Sequence, residues 1–197
     1  NTVSKWRYAA GVIAGGRLDV TENDTRFVPF ALKQGEPFED GWVALLQEFE
    51  RGDVFIKGGN ALDVDGNVGV LLASNVGGTV GQMAGITAAR GARVVVPIGL
   101  EKLVPDVIEG ARHCGIERLD SADGLPVGMA VLTDIEVVTE IEAFEILAGV
   151  RAWHVASGGI DGSEGAVTLA LEGSESSVQQ ALGIAGSVSG EPPVTRE

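Results

Sequence analysis

Cysteine occurs once in the 197 residues, at Cys114. No internal disulfide is available, and a reducing cytoplasm is the simple expectation. Cys114 itself is expected as a half-buried small side chain at a helix end. The two histidines, His113 and His154, stand in no Cys/His spacing of the zinc type. No motif calls for a metal or a cofactor, although a site built from carboxylates alone stays open. Basic residues are scarce as well: 14 against 28 acidic ones, a formal net charge of -14. Nucleic acid and anionic membrane both require basic surface, so neither is an expected partner. No run is long and apolar enough to span a bilayer, and no leader segment is read. An anionic ligand has to be held against the global field, by a locally placed cation or by backbone N–H groups.

Apolar residues make up 45% of the chain, enough for a real core, and the 29 glycines follow no period. Alternation and turn signals predict a meander at the start. "WRYAAGVIAGGRLDV" gives two strands about Gly15-Gly16, and "RFVPFAL" a third. "DGWVALLQEFERG" predicts a helix stopped by Gly52. "DVFI" is expected as a short buried strand ending at Lys57. "VGVLLAS" has no alternation, the mark of a central strand covered on both faces. The helix "TVGQMAGITAARGA" and the strand "RVVVPIG" follow it. That order predicts a βαβ unit with parallel pairing. "VPDVIEGARHCG" is a further helix.

"ERLDSADGLP" is polar and turn-rich, and a boundary is expected there, giving domains 1–124 and 125–197. Beyond it come the strand "VGMAVLTDIEVV", the helix "TEIEAFEILAG", a hairpin around "SGGIDG" and a helix capped by Ser174. This β-α-β-β-α order is that of a ferredoxin-like unit. Within it Trp153 is expected in the core and His154 at the edge. Its exposed sheet suits self-association, so a homo-oligomer is expected. The tail "EPPVTRE" is expected as an edge strand or loose chain.

Three segments concentrate polar groups after apolar strands. In "FIKGGNALDVDGN", Lys57 ends a strand, and a lysine there needs a partner or water. Gly58 and Gly59 open space for a ligand, and Asn60 offers a hydrogen bond. Asp63 is expected to pair with Lys57 or accept a proton, while Asp65-Gly66 reads as a turn. In "SNVGGTVG", Asn75 and Thr79 supply side-chain donors. Gly77 and Gly78 allow close approach to a helix start, where backbone N–H groups suit an anion. A tight turn with Thr79 as N-cap fits these residues equally well. The spacing matches neither GxGxxG nor a P-loop. In "IGLEKLVPD", Glu101 and Lys102 form a plausible acid/base pair. An ordinary solvated ion pair is the plainer alternative.

"FIKGGNAL" resembles the glycine-rich loop of ribose-5-phosphate isomerases. "ARVVV" with "GLEKLVP", and "DVFIKGGNALDVDGNVGV", are similar to segments of LUD-domain proteins of lactate utilisation. Both belong to the ISOCOT superfamily, with CoA transferases, sugar-phosphate isomerases and folate cyclo-ligases. The resemblance covers residues 53–106. It implies a Rossmann-like, mostly parallel sheet domain, with Lys57, Gly58 and Gly59 lining a sugar-phosphate type of site. It implies the same crevice for Glu101 and Lys102. The isomerases' acidic motif before the loop is absent, since "EFERGD" stands there, and their Glu-Lys after it is replaced by "DVDGN". Both departures count against pentose isomerisation. The expectation is an enzyme acting on a phosphosugar, an acyl-CoA or a carboxylate, with Lys57, Glu101 and Asp63 as catalytic residues. The alternatives are a non-catalytic metabolite-binding or regulatory protein, and a structural assembly protein.

Overall fold

A computed structural model describes residues 4–192 and 194–195 of the chain. After a 3-10 turn at Lys5–Tyr8, β1 (Gly11–Ala14) and β2 (Arg17–Val20) form the expected antiparallel hairpin. Gly15 and Gly16 both adopt positive φ at its turn, the backbone that a two-residue hairpin loop requires. The expected third strand does not form. Only β3 (Leu32–Lys33) and β4 (Glu36–Pro37) pair, as a minimal hairpin. Pro29 has no N–H to give a ladder, and its neighbours Val28 and Phe30 are 75% and 78% exposed.

The predicted helix over 40–52 is cut to α1 (Trp42–Leu46). Past Leu45 its bonds tighten to the i→i−3 type, with Glu48 N–H on the Leu45 carbonyl and Phe49 N–H on that of Leu46. Arg90 takes up the carbonyls of Gln47 and Phe49 at 2.7 and 2.8 Å. A distant guanidinium thus replaces the further helical turns.

The chain is a mixed α/β structure with one three-stranded parallel sheet and several antiparallel ones. The remaining elements are β5 (Val54–Ile56), β6 (Ala61–Leu62), β7 (Val68–Leu72), α2 (Gly78–Arg90), β8 (Arg93–Pro97), α3 (Val107–Arg112), β9 (Gly128–Leu132), β10 (Glu136–Val138), α4 (Glu140–Ala148), β11 (Arg151–Ser157), β12 (Val167–Glu172) and α5 (Glu175–Val188). The parallel sheet has the order β10-β8-β5. A second sheet, β6-β7-β9, is antiparallel throughout.

This arrangement corrects the expected βαβ unit. β7 and β8 lie in different sheets, because the turn 63–67 folds β7 back onto β6 and β9 then pairs along its other side. The parallel crossovers run instead from β5 to β8 and from β8 to β10. β5 is an edge strand, and Ile56 is 67% exposed. It is not the buried strand that its composition suggests. Its inward residue, Phe55, packs between the rings of Trp42 and Phe49.

The segment expected as one strand over 127–138 is two. Asp134 adopts positive φ and breaks it. Its halves, β9 and β10, pair with β7 and β8, so the chain returns to the earlier sheets after residue 124. The main core lies between the two sheets and α2, with Leu62, Val68, Val70, Val80, Val96, Ile98 and Leu132 buried together. A smaller core joins Ala148, Val150 and Ala181 beneath the β11–β12 hairpin. Here the parity of β11 is the reverse of that expected. Ala152 is buried and His154 half-buried, while Trp153 is 44% exposed with the Arg151 guanidinium over its ring. The tail at 191–192 and 194–195 carries no strand, and its remaining residues lie outside those described.

α4 begins where β10 ends, and its first turn is tightly specified. The Thr139 hydroxyl accepts from Ile141 N–H at 3.1 Å, and the Glu142 carboxylate returns to Thr139 N–H at 2.8 Å. This capping box satisfies donors that a helix start leaves open. α5 starts with Ser174 accepting from Ser177 N–H, as expected from its sequence. Thr139→Ala should destabilise the fold by about 1 kcal/mol. That is a fall of about 2–4 °C in melting temperature for a chain of this size, measurable by circular dichroism.

Candidate functional site

The three parallel strands end together. Lys57 N–H donates to the Val95 carbonyl and Ile98 N–H to that of Val138, both at 3.0 Å. Three segments emerge at this edge: Lys57-Gly58-Gly59 after β5, the turn 98–102 after β8, and Thr139-Glu140 after β10. The carboxyl edge of such a sheet is where ligands of α/β proteins sit.

The local sequence shapes this edge closely. Gly59 is buried, and a Cβ there would lie 2.4 Å from Val68 Cγ1 and 2.8 Å from Ile98 Cδ1. No other residue fits between the two sheets. Gly58 has nothing within 4 Å of its would-be Cβ, so open space adjoins Lys57. The carbonyls of these two glycines each hold a lysine. Lys57 Nζ donates to Gly58 O at 3.0 Å, and Lys102 Nζ to Gly59 O at 3.1 Å. Among the described residues, neither ammonium forms an ion pair. Burial, and then repulsion from Lys102, holds the Lys57 amine below its ordinary pKa.

Two carboxylates flank the same turn. Glu101 folds back over Gly99, where a Cβ would meet Glu101 Oε2 at 1.9 Å. Gly99 is therefore the space that this carboxylate occupies. Glu140 accepts the Leu100 N–H at 2.9 Å. Beside β8 and β10 a cavity of about 380 Å³ is lined by Pro97, Ile98, Gly99, Val138, Thr139, Glu140 and Ala143. The edge thus carries two lysines and two carboxylates, of which Glu140 alone lines this cavity. Glu140 is the residue that the sequence reading missed. Its signal was available, since a capped helix start directly follows a parallel strand.

Asp63 is not a partner of Lys57. It is buried, and its oxygens accept from Asp65 N–H, Asn67 N–H, Asn67 Nδ2 and Val107 N–H at 3.0–3.1 Å. Desolvation opposes its charge, but these donors outweigh it and hold the carboxyl below its ordinary pKa. With its lone pairs committed in this way it is a structural anchor, which removes it from the acid/base candidates. Asn60 is likewise structural. Its side chain accepts from Leu71 N–H at 3.0 Å, and its N–H donates to Gly69 O at 2.8 Å. Gly66 makes the expected turn, with positive φ.

The "SNVGG" loop stands apart. Asn75 and Gly77 line a different cavity, of about 570 Å³, with Leu72, Ser74, 115–118 and Gly128. Lys57, Glu101 and Lys102 line neither that cavity nor the one beside β8 and β10. The loop leaves β7, which belongs to the other sheet, and this is why three loops do not converge. Gly77, at positive φ, is the N-cap residue of α2, and no side chain caps this helix. Gly78 opens the helix and Thr79 lies within it. Gly81 permits the turn, since a Cβ there would meet the Val76 carbonyl at 2.2 Å.

Cys114 is half-buried and unbonded to another cysteine, and His113 pairs with Glu109. Among the described residues, no three His, Cys, Asp or Glu side chains gather as a metal site, and no helix is long and apolar enough to cross a membrane. Compared with protein families, with curated proteins and with solved structures, the chain matches none.

Asp63→Asn should destabilise the fold by roughly 2–3 kcal/mol, because buried backbone donors lose a charged acceptor. Asp63 has its pKa lowered by folding. Its contribution is therefore complete above the unfolded value, about 3.9, and is lost as pH falls through the lower folded value. Urea titrations at pH 7 and in acid should show the gap between variant and wild type closing as the pH drops.

Proposed function

We propose that the chain is an enzyme for a small anionic metabolite, a phosphosugar, an acyl-CoA or a carboxylate, with its site at the carboxyl edge of β5 and β8. One observation carries this reading. In a chain of net charge -14, Lys57 and Lys102 are placed side by side on adjacent carbonyls with no acidic partner among the described residues. Like charges kept together need an anion to neutralise them. Lys102 and Lys57 hold the anionic group, and Glu101 in the turn and Glu140, hydrogen-bonded to it from the start of α4, move protons.

The parallel order β10-β8-β5 supports a Rossmann-like, ISOCOT-type reading of this part. The run α4-β11-β12-α5 supports a reduced ferredoxin-like unit. A second reading is a binding or regulatory protein using the same crevice. It is favoured by Glu140 being engaged with Leu100 N–H rather than free for chemistry. The exposed outer face of β11, with Trp153 and Val155, suits self-association in either case.

Phosphate or sulfate should raise the melting temperature of the wild-type chain. At tenfold over Kd the gain is about 1.4 kcal/mol, read as roughly 3–5 °C. Lys57→Ala and Lys102→Ala should each abolish most of that shift. An undiminished shift in both variants would sink the site. Turnover assays on phosphosugars, CoA esters and short acids then separate enzyme from binder.

A further inference from the structure

The two lysines are not equivalent. Lys102 extends from the 3-10 turn at Leu100–Lys102 across to the Gly59 carbonyl, which is part of the buried floor between the sheets. Lys57 reaches only the carbonyl of its neighbour Gly58, and open space lies beside that glycine. One amine is anchored to the floor, and the other stands at the rim with room for a reactant.

We propose that Lys57 is a nucleophile that forms an imine with a small carbonyl compound whose carboxylate or phosphate is held by Lys102. This deepens the reading of the crevice as an anion site, and rests on it. An amine serves as a nucleophile only when neutral. Desolvation and a neighbouring cation both move a lysine toward that state. Both conditions act on Lys57 here. Both amines attract the anion on binding; Lys57 then attacks through its neutral form, while Lys102 keeps hold of the substrate's anionic group.

The step balances without an oxidant or reductant. The Lys57 Nζ lone pair bonds to the carbonyl carbon, and the carbonyl π pair moves to oxygen. The nitrogen loses a proton and the oxygen gains one, giving a carbinolamine. A second proton lets that oxygen leave as water, and the nitrogen lone pair closes the C=N+ bond. Glu101, which folds over Gly99, and Glu140, which accepts the Leu100 N–H, are the carboxylates of this edge that we assign to carry these protons. The resulting iminium withdraws electrons from the adjacent carbon, so the reaction class is proton abstraction or bond cleavage next to a carbonyl.

The test is reductive trapping on the full chain. Pyruvate, dihydroxyacetone phosphate and acetone are each incubated with the protein and cyanoborohydride at pH 7, and the adducts are mapped by peptide mass spectrometry. The expected result is a single adduct at Lys57 with one or both anionic carbonyls and little with acetone. Pyruvate alone or dihydroxyacetone phosphate alone distinguishes a carboxylate from a phosphate site. Lys57→Arg, which keeps the charge, should lose the adduct. Lys102→Ala should reduce labelling by the anionic compounds to the acetone level. Labelling spread over exposed lysines, or none, overturns the imine. If phosphate still raises the melting temperature through Lys57 and Lys102 in that case, the anion site stands without it. Absence of both effects removes both readings.

Discussion

The arrangement depends first on one buried carboxylate. Asp63 gathers the backbone of the turn 63–67 and, across to the start of α3, the N–H of Val107. Next to it Leu62 accepts from Val104 N–H at 2.7 Å and forms a parallel bridge with Leu103. These bonds fix the segment after β8 against the second sheet. The turn carrying Glu101 and Lys102 is therefore held at both ends, by β8 before it and by the Leu62–Asp63 contacts after it. Placement of Lys102 over Gly59 is a consequence of that clamp, and the acid that secures it lies outside the crevice.

The charge distribution follows from the same geometry. Surface ion pairs such as Lys33–Glu48 and Arg151–Glu172 couple six of the described lysines and arginines to acids, and such pairs contribute little stability. Lys57 and Lys102 are set on carbonyl oxygens instead. Holding a partly desolvated amine beside a second cation is unfavourable for folding near neutral pH. The unfolded chain binds the Lys57 proton more tightly, so stability rises with pH between the lowered folded value and the ordinary one. Such local disadvantages recur at functional sites, where chemistry rather than stability sets the arrangement.

What was legible in the sequence was local. The Gly15-Gly16 hairpin, the starts of α4 and α5 and the 63–67 turn all follow from residues within a few positions of each other, through φ or capping. The sheet partners were not legible. β7 and β8 flank a helix as a βαβ unit would, but β7 meets β9 some sixty positions on, and no local rule encodes that choice. Asp63 misled because a buried acceptor and a catalytic acid share the same residue type. Its burial depends on α3, which is distant in sequence. On β11 the alternation was correct but its sign was not, since period two separates the faces without saying which is covered. The bulge between His154 and Ala156 then shifts the register as well. The positions of Lys57, Glu101 and Lys102 after parallel strands were legible. Which carbonyl each amine reaches was not, because Gly58 and Gly59 are brought to the lysines by the meeting of the two sheets.

Gly59 gives this site its mechanical character. The two sheets meet there through a bare backbone, with Val68 and Ile98 closing on either side. Its carbonyl also receives Lys102. A load placed on that ammonium passes to the junction of the sheets, and Val68, fully buried, has no room to yield. The floor of the crevice is thus a stiff bearing, while Lys57 at the rim is the compliant part. In the proposed site, ligands of different length would be met by movement of the Lys57 arm, with their charged end seated at a constant depth.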